Sequence, residues 1–206
     1  MPSRTTHEAI VLRAVDVGEA DRFCILLTKG AGRLAARAKG VRKPGSRMGG
    51  VLLPLRTVRI ELVERGAGML IVSAQDLAPT LPPDFTAFSR MQQGVEMLLM
   101  LTEEGSAMPD IFLLTRDFLM LCQDEEWNPL PLFTLRLLFL LGLLPANDDD
   151  PRFARMSDEA KQSVRECIRE KHLHALRGKE GTGMLTFLRA VLVETLPRAL
   201  KAREIR

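Results

Sequence analysis

The chain is poor in aromatic residues. It has no tyrosine and a single tryptophan, Trp127, and its first 80 residues contain one phenylalanine, Phe23. Proteins that hold unpaired nucleic-acid bases stack them on aromatic side chains, at about 1 to 3 kcal/mol per base. Because Phe23 alternates with Ile25 and Leu27, we predict that it faces a hydrophobic core. Base stacking by the N-terminal part of the chain is therefore disfavoured.

Cysteines and long apolar runs are also scarce. The three cysteines, Cys24, Cys122 and Cys167, lie far apart and form no Cys-x-x-Cys pair. This spacing argues against a disulfide framework or a zinc site, so we expect buried thiols. The most apolar run, residues 130–144, contains Arg136 and is shorter than the roughly 18 residues that span a bilayer. The first residues lack an apolar signal core, and we expect a cytoplasmic protein.

Acidic residues are missing from one long stretch. Between Arg22 and Arg59 the chain carries ten lysines and arginines and no aspartate or glutamate. Residues 1–80 hold 13 basic and 7 acidic residues, a balance of +6, whereas residues 81–206 hold 16 and 19, a balance of −3. Such a one-sided distribution is typical of a polyanion-binding surface. The candidate phosphate-binding residues are Arg22, Lys29, Arg33, Arg37, Lys39, Arg42, Lys43, Arg47, Arg56 and Arg59.

Short strands are predicted throughout the first 80 residues. Runs of β-branched and aliphatic residues, separated by glycine-rich or acidic turns, occupy residues 9–15, 22–28, 33–39, 52–63 and 68–77. Five short strands in about 70 residues fit a small closed barrel of the OB type. We therefore predict an α+β chain, with an OB-fold domain over residues 1–80.

The third predicted strand separates apolar from basic residues. Its even positions, Leu34, Ala36 and Ala38, alternate with the cations Arg33, Arg37 and Lys39. Side chains on one face of a strand repeat about every 6.6 Å, so three cations in such a row can follow a phosphate backbone. The loop over residues 40–50 adds Arg42, Lys43 and Arg47. We predict electrostatic, sequence-independent binding that weakens steeply with salt.

Residues 81–206 carry a helical pattern. Apolar residues at spacings of three and four predict helices over about 84–102, 110–123, 130–143 and 157–176, and a last helix from 184 that Pro197 kinks or ends. Ser157 is the expected N-cap of the fourth helix. We predict an all-α domain over residues 81–206 that docks partners.

Catalytic and metal-binding motifs are weak. The spacing of Gly40 and Gly45 superficially matches a P-loop, but Ser46 and Arg47 replace the required lysine and hydroxyl residue. The acidic clusters 103–104, 124–126 and 148–150 fall at predicted helix ends or loops, and the three histidines are scattered. We therefore predict a protein that is not an enzyme and needs no metal or cofactor.

The sequence around the loop at residues 40–50 resembles a known signature. Ala38-Lys-Gly-Val-Arg-Lys-Pro-Gly-Ser-Arg-Met-Gly-Gly50, followed by Leu52-x-Pro54, resembles the AKGxRRxxSRxxGxLxP region of the bacterial RecO recombination mediators. Residues 8–12 and 19–28, followed by Gly32-Arg33, are similar to that family's opening strands. The run 133–145 resembles its FxLxLLxxLGxxP helix, and residues 187–203 resemble its last helix.

The resemblance implies a function in DNA repair and homologous recombination. RecO proteins have an OB domain and a helical domain, bind single- and double-stranded DNA, anneal complementary strands and help to load the recombinase RecA. They work with RecR, and their helical domain contacts the acidic, apolar-tipped tail of the single-stranded-DNA-binding protein. A nucleoid-associated location would follow.

By position, the resemblance assigns DNA binding to Lys39, Arg42, Lys43 and Arg47, with Ser46 as a loop anchor. It also marks a departure, because many members carry a four-cysteine zinc module soon after the LGxxP helix. Here residues 146–150 continue without a cysteine until Cys167. We expect this chain to lack the zinc module.

Two other functions fit a cationic barrel. An RNA-binding OB protein is one, since phosphate contacts do not distinguish the two sugars. An adaptor whose cationic face binds an acidic protein is the other. Competition between DNA and RNA separates the first from DNA binding, and salt-sensitive DNA binding argues against the second.

Overall fold

The computed structural model describes residues 3–66, 68–78, 82–144, 147 and 149–204. The chain forms two compact units. Unit 1 comprises Met1–Pro82 and Thr102–Arg116, and unit 2 comprises Pro83–Leu101 and Asp117–Arg206. The sequence-based boundary at residue 80, between an OB domain and a helical domain, stays a prediction.

Unit 1 contains a closed barrel of five strands. They are β1 (Arg4–Val17), β2 (Asp21–Thr28), β3 (Gly32–Ala38), β4 (Thr57–Arg65) and β5 (Gly68–Ala78). The order around the barrel is β1-β2-β3-β5-β4, and β1 pairs with β4 to close it. The β3–β5 pair is parallel and the other four pairs are antiparallel. This topology is that of the OB fold, and it confirms the predicted fold class.

The barrel interior follows the period-2 pattern of the strands. On β3, Ala36 and Ala38 are buried and Arg37 is exposed, as the alternation predicted. On β2, however, Cys24, Leu26 and Leu27 are fully buried, and Phe23 is 40% exposed. The prediction that Phe23 lies in the core was wrong. Both faces of β2 are apolar in sequence, and on the face that carries Phe23 the exposure falls along the strand, from Phe23 through half-buried Ile25 to buried Leu27.

The predicted fourth strand begins too early. Residues 51–56 form turns, and β4 starts at Thr57. Leu52 and Leu55 are buried, and Leu55 has a φ of 72°, which no strand residue adopts. The Leu55 amide donates to the Val11 carbonyl at 2.8 Å, and the Val11 amide donates to the Arg56 carbonyl at 2.9 Å. The apolar run thus anchors a loop to β1 instead of extending β4.

In the described part of the chain, six α-helices follow β5 in sequence. They are α1 (Phe85–Leu101), α2 (Pro109–Leu121), α3 (Leu130–Leu140), α4 (Pro151–Ala154), α5 (Asp158–Arg169) and α6 (Thr182–Glu204), with a 3₁₀ helix at Leu173–Leu176. Ser157 caps α5, as predicted, by accepting from the Ala160 amide at 3.3 Å. The predicted continuation of α5 to residue 176 was wrong because Glu170 is extended and its side chain accepts from the His172 amide. α6 continues past Pro197. Among the described residues, no helix has the length and hydrophobicity of a membrane span.

All three cysteines are buried, as predicted. Burial raises the pKa of the Cys24 thiol to about 11, that of Cys122 to about 12 and that of Cys167 to about 11. A thiol with such a pKa is almost fully protonated at neutral pH, and the thiolate is the reactive form. These side chains therefore act as small apolar core residues.

Candidate nucleic-acid interface

Residues 39–56, here called the basic loop, connect β3 to β4. Successive tight turns build the loop: the Lys43 amide donates to Gly40, the Ser46 amide donates to Lys43, and the Leu52 amide donates to Met48, at 3.0 to 3.1 Å. Val41 and Leu52 are buried against the barrel core at either side of these turns. The loop therefore holds its cations on a folded support.

Two aspartates that flank the β1–β2 turn fix the basic loop to the barrel. Asp16 accepts from Arg22 Nε at 2.8 Å and lies 3.3 Å from Arg42 Nε. Asp21 accepts from the Gly40 amide at 2.8 Å and from Arg37 Nε at 2.8 Å. The hydrogen bond from Arg22 lowers the pKa of Asp16, and the Gly40 amide, with Arg37, lowers the pKa of Asp21. Both carboxylates are ionised at neutral pH and neutralise part of the nearby positive charge.

Five of the ten predicted cations are exposed together at this end of the barrel. They lie at the end of β3 and on the basic loop, namely Arg37, Lys39, Arg42, Lys43 and Arg47. Lys39, Lys43 and Arg47 have no carboxylate within salt-bridge distance among the described residues. We call these five residues the cationic end.

Two of the predicted cations support the fold. The Arg22 side chain is only 13% exposed, and its guanidinium donates to the carbonyls of Gly49 at 3.0 Å and Leu52 at 3.1 Å. Arg56 forms an ion pair with Asp76 and is 17% exposed. Arg22 thus anchors the basic loop, and Arg56 joins the loop to β5. A direct DNA contact by either residue stays a prediction.

The other three predicted cations lie elsewhere on the barrel. Arg33, the second residue of β3, is half-buried and lies about 20 Å from Lys39 along the strand at 3.3 Å per residue. Lys29 follows β2, one residue beyond the register partner of Gly32, and lies farther still. Arg59 is on β4, which neighbours neither β2 nor β3. The acid-free stretch therefore does not form one continuous patch.

A groove adjoins the cationic end. It has a volume of about 650 Å³, and Phe23, Arg37, Lys39, Arg65, Met69 and Glu104 contribute to its walls. Phe23 and Arg37 are register partners across β2 and β3, so their side chains share one face of the barrel. Sequence reasoning missed Phe23, Arg65 and Glu104 as site residues. In the sequence, the one indication of any of these three residues was that Arg65 is a cation beside Gly66, at the end of β4.

A segment distant in sequence completes this side of unit 1. The Gly105 amide donates to the Arg33 carbonyl at 3.0 Å, and Glu104 forms a parallel bridge with Arg33. Gly32 has a φ of 68°, and a Cβ atom added there would lie 1.8 Å from the Ser106 carbonyl oxygen. The segment therefore packs backbone to backbone against the start of β3.

Metal-binding clusters are not found in the described part of the chain. No group of three or more histidine, cysteine, aspartate or glutamate side chains is arranged to hold an ion there. Asp148, one of the three residues of the acidic cluster at 148–150, lies outside the described residues. Asp150 instead caps α4 and pairs with Arg152, whose hydrogen bond lowers the pKa of Asp150 to about 2.

Barrel topology and the cationic loop define an OB-fold protein, and sequence comparisons specify its family. A family described as "Recombination protein O N terminal" matches residues 1–78. DNA repair protein RecO of Heliobacterium modesticaldum is 32% identical over 200 residues, which cover 90% of this chain and 72% of the relative. The chain therefore belongs to the RecO family.

Other relatives match over a shorter region. The RecO protein of Myxococcus xanthus is 32% identical over 150 residues, covering 70% of this chain and 62% of the relative. That of Desulforudis audaxviator is 37% identical over 142 residues, covering 67% and 57%. The chain thus spans about three fifths of the length of these two relatives.

Proposed function

We propose that this protein acts in DNA repair and homologous recombination by binding single- and double-stranded DNA through phosphate contacts. Membership of the RecO family supports a role in DNA repair and recombination, and the cationic end supports binding through phosphates. In this proposal the protein also anneals complementary strands and assists RecA loading together with RecR, without catalysing a reaction. The observation that carries the proposal is a fixed loop that exposes Lys39, Lys43 and Arg47 without internal partners among the described residues.

Annealing would follow from charge neutralisation. Two DNA strands repel each other through their phosphates, and cations presented by one rigid surface reduce that repulsion for both strands. The carboxylates of Asp16 and Asp21 limit the net charge at the same surface. Moderate attraction allows a strand to be held and then released to its complement, and it predicts binding that depends on salt and hardly on sequence.

The K39A/K43A/R47A variant tests this proposal. We expect its affinity for duplex DNA to fall about tenfold or more, because three phosphate contacts are lost. The slope of log affinity against log salt should become smaller by about 3. Fluorescence anisotropy with labelled single strands and duplexes over a salt series measures both quantities, and a strand-annealing assay should show a parallel loss.

The R4A/R169A/K171A variant is the matched control. It removes the same charge from exposed positions outside the ten candidate phosphate-binding residues. We expect much smaller changes in affinity and salt slope. Equal losses in the two triple variants would contradict a localised interface, and normal binding by K39A/K43A/R47A would contradict the proposal. Preferential competition by RNA over DNA of equal length would favour the RNA-binding alternative.

We also propose that unit 2 binds the acidic, apolar-tipped tail of the single-stranded-DNA-binding protein. A cavity of about 460 Å³ lies between α4, α5 and α6, with Met156, Ala160 and Phe187 in its walls. Arg155 stands at the same cavity, is exposed, and has no carboxylate partner among the described residues. An apolar pocket beside an available guanidinium suits a peptide that ends in an apolar side chain and a carboxylate.

Charge reversal at Arg155 should weaken binding of such a peptide. We expect Arg155→Glu to lower the affinity about 5- to 30-fold, since attraction is replaced by repulsion. Anisotropy of a labelled acidic peptide with an apolar C-terminal residue provides the measurement. Arg169→Glu is the control, because Arg169 is exposed on α5 about 18 Å along the helix from Ser157. Similar effects of the two substitutions would indicate non-specific electrostatics and contradict the site.

A further inference from the structure

The groove beside the cationic end has the one aromatic ring of residues 1–80 in its wall. Phe23 is 40% exposed, although its neighbours on β2, Cys24 and Leu26, are fully buried. Its ring is stacked by no second ring and no cation in the described part of the chain. An aromatic face is therefore open to a ligand in a groove of about 650 Å³, a volume within the range of small-molecule sites.

The cations around Phe23 are positioned for a phosphate group. Arg37 is the register partner of Phe23 and Lys39 follows the same strand, while Arg65 contributes from the end of β4. Asp21 holds Arg37 through Nε, at 2.8 Å. The terminal guanidinium nitrogens of Arg37 remain available for hydrogen bonds to a phosphate.

Glu104 makes the distribution of charge in the groove wall uneven. Its carboxylate is the single acidic group in the groove wall, against three cations. Phosphates are repelled from Glu104 and attracted to the edge formed by Arg37, Lys39 and Arg65. The net charge of the wall is positive, and Lys39 belongs both to the groove and to the cationic end, so a bound strand can continue from one to the other.

We propose that this groove is a subsite for one unpaired nucleotide, whose base stacks on Phe23 while its phosphate binds Arg37 and Lys39. The proposal rests on the proposed DNA-binding function and adds a distinction between strands. In a duplex both faces of each base are covered by neighbouring bases, so a duplex cannot use Phe23. A single strand can use it, and the site therefore favours single-stranded over double-stranded DNA.

Substitution of Phe23 by leucine tests the subsite. The change removes the aromatic face and keeps an apolar side chain and the net charge. We expect the full chain to bind a labelled single-stranded oligonucleotide about tenfold more weakly. Binding of a duplex of equal length should change less than about twofold, and both salt slopes should be unchanged because no cation is removed.

Two further measurements identify the base as the ligand. An oligonucleotide with abasic positions should bind the wild-type and F23L proteins equally, since it has nothing to stack. Phe23→Trp should restore binding, and its added tryptophan fluorescence should be quenched by the single strand and not by the duplex. Equal losses for single strands and duplexes, or a loss that persists with the abasic oligonucleotide, would overturn the subsite.

The outcomes also separate this subsite from the proposed function. Salt-sensitive binding of both DNA forms by the wild type, with no effect of F23L, would overturn the subsite and leave the phosphate-binding function intact. Failure of the wild type to bind DNA would overturn both. If F23L instead abolished binding of an acidic peptide while single-stranded DNA binding was normal, the groove would be a peptide site and the proposal would be wrong.

Discussion

Replacing Gly32 by alanine is expected to destabilise unit 1 by about 2 to 5 kcal/mol, through backbone strain and overpacking together. Gly32 has a φ of 68°, which a residue with a Cβ atom adopts at a cost. The added Cβ would also lie 1.8 Å from the Ser106 carbonyl oxygen. Since that contact is with backbone, no side-chain rotation can relieve it, and the segment around Ser106 must move away from β3.

Urea unfolding followed by circular dichroism and hydrogen exchange followed by mass spectrometry measure this effect. The Gly105 amide, which donates to the Arg33 carbonyl, should lose protection in the G32A variant. Gly30→Ala is the control, because Gly30 lies in the same turn, has no atom within 4 Å of an added Cβ and has no positive φ. We expect G30A to stay within about 0.5 kcal/mol of wild type. Unchanged exchange around residue 105 in G32A would contradict the packing described for unit 1.

Replacing Arg136 by methionine is expected to destabilise unit 2 by about 2 to 4 kcal/mol. Arg136 lies on α3 and is only 7% exposed, and its guanidinium donates to the carbonyls of Cys167, at 3.2 Å, and Ile168. These carbonyls belong to the last turn of α5, where no intrahelical amide is available to them. Methionine fills a similar volume but leaves the carbonyls without this donor and removes a positive charge from a helix C-terminus.

Trp127 fluorescence during urea unfolding reports this change, since the single tryptophan is buried in unit 2 and donates to Glu180 at 2.6 Å. The R136K variant should be intermediate, because an ammonium group keeps the charge but not the planar donor geometry. Arg169→Met is the control: it makes the same replacement at an exposed position of the same helix end, and we expect a change below about 1 kcal/mol. Equal unfolding midpoints for R136M and wild type would contradict the role assigned to Arg136.

Local periodicity predicted most of the elements. The alternation on β3, the cap at Ser157 and the apolar run of α3 depend on neighbours in sequence, and their predictions were confirmed. The burial of Phe23 was predicted wrongly because Phe23 is as apolar as Leu27, two residues of one strand face, yet Leu27 is buried and Phe23 is exposed. Only the contacts made in the folded barrel decide which of these side chains is covered.

The charge and the composition of the candidate site were harder to predict than the secondary structure, because they depend on contacts between residues that are distant in sequence. The stretch from Arg22 to Arg59 lacks acidic residues, yet Asp16, Asp21 and Asp76 approach four of its cations in the folded chain. The sequence run therefore overestimated the charge of the surface. Periodicity and composition also contain no signal for the bridge between Arg33 and Glu104, since the two residues are 71 positions apart.

Unit 1 consists of two stretches of the chain that α1 separates, and this arrangement affects the order of folding during synthesis. α1 is synthesised between β5 and the segment that packs on Gly32, so the barrel strands are made before their last contact is available. The helices that pack on α1, which are α3 and α6, are translated later still. Unit 1 can finish folding once residue 116 has emerged, whereas the apolar face of α1 is covered in part by α3 and completely only when α6 has been made.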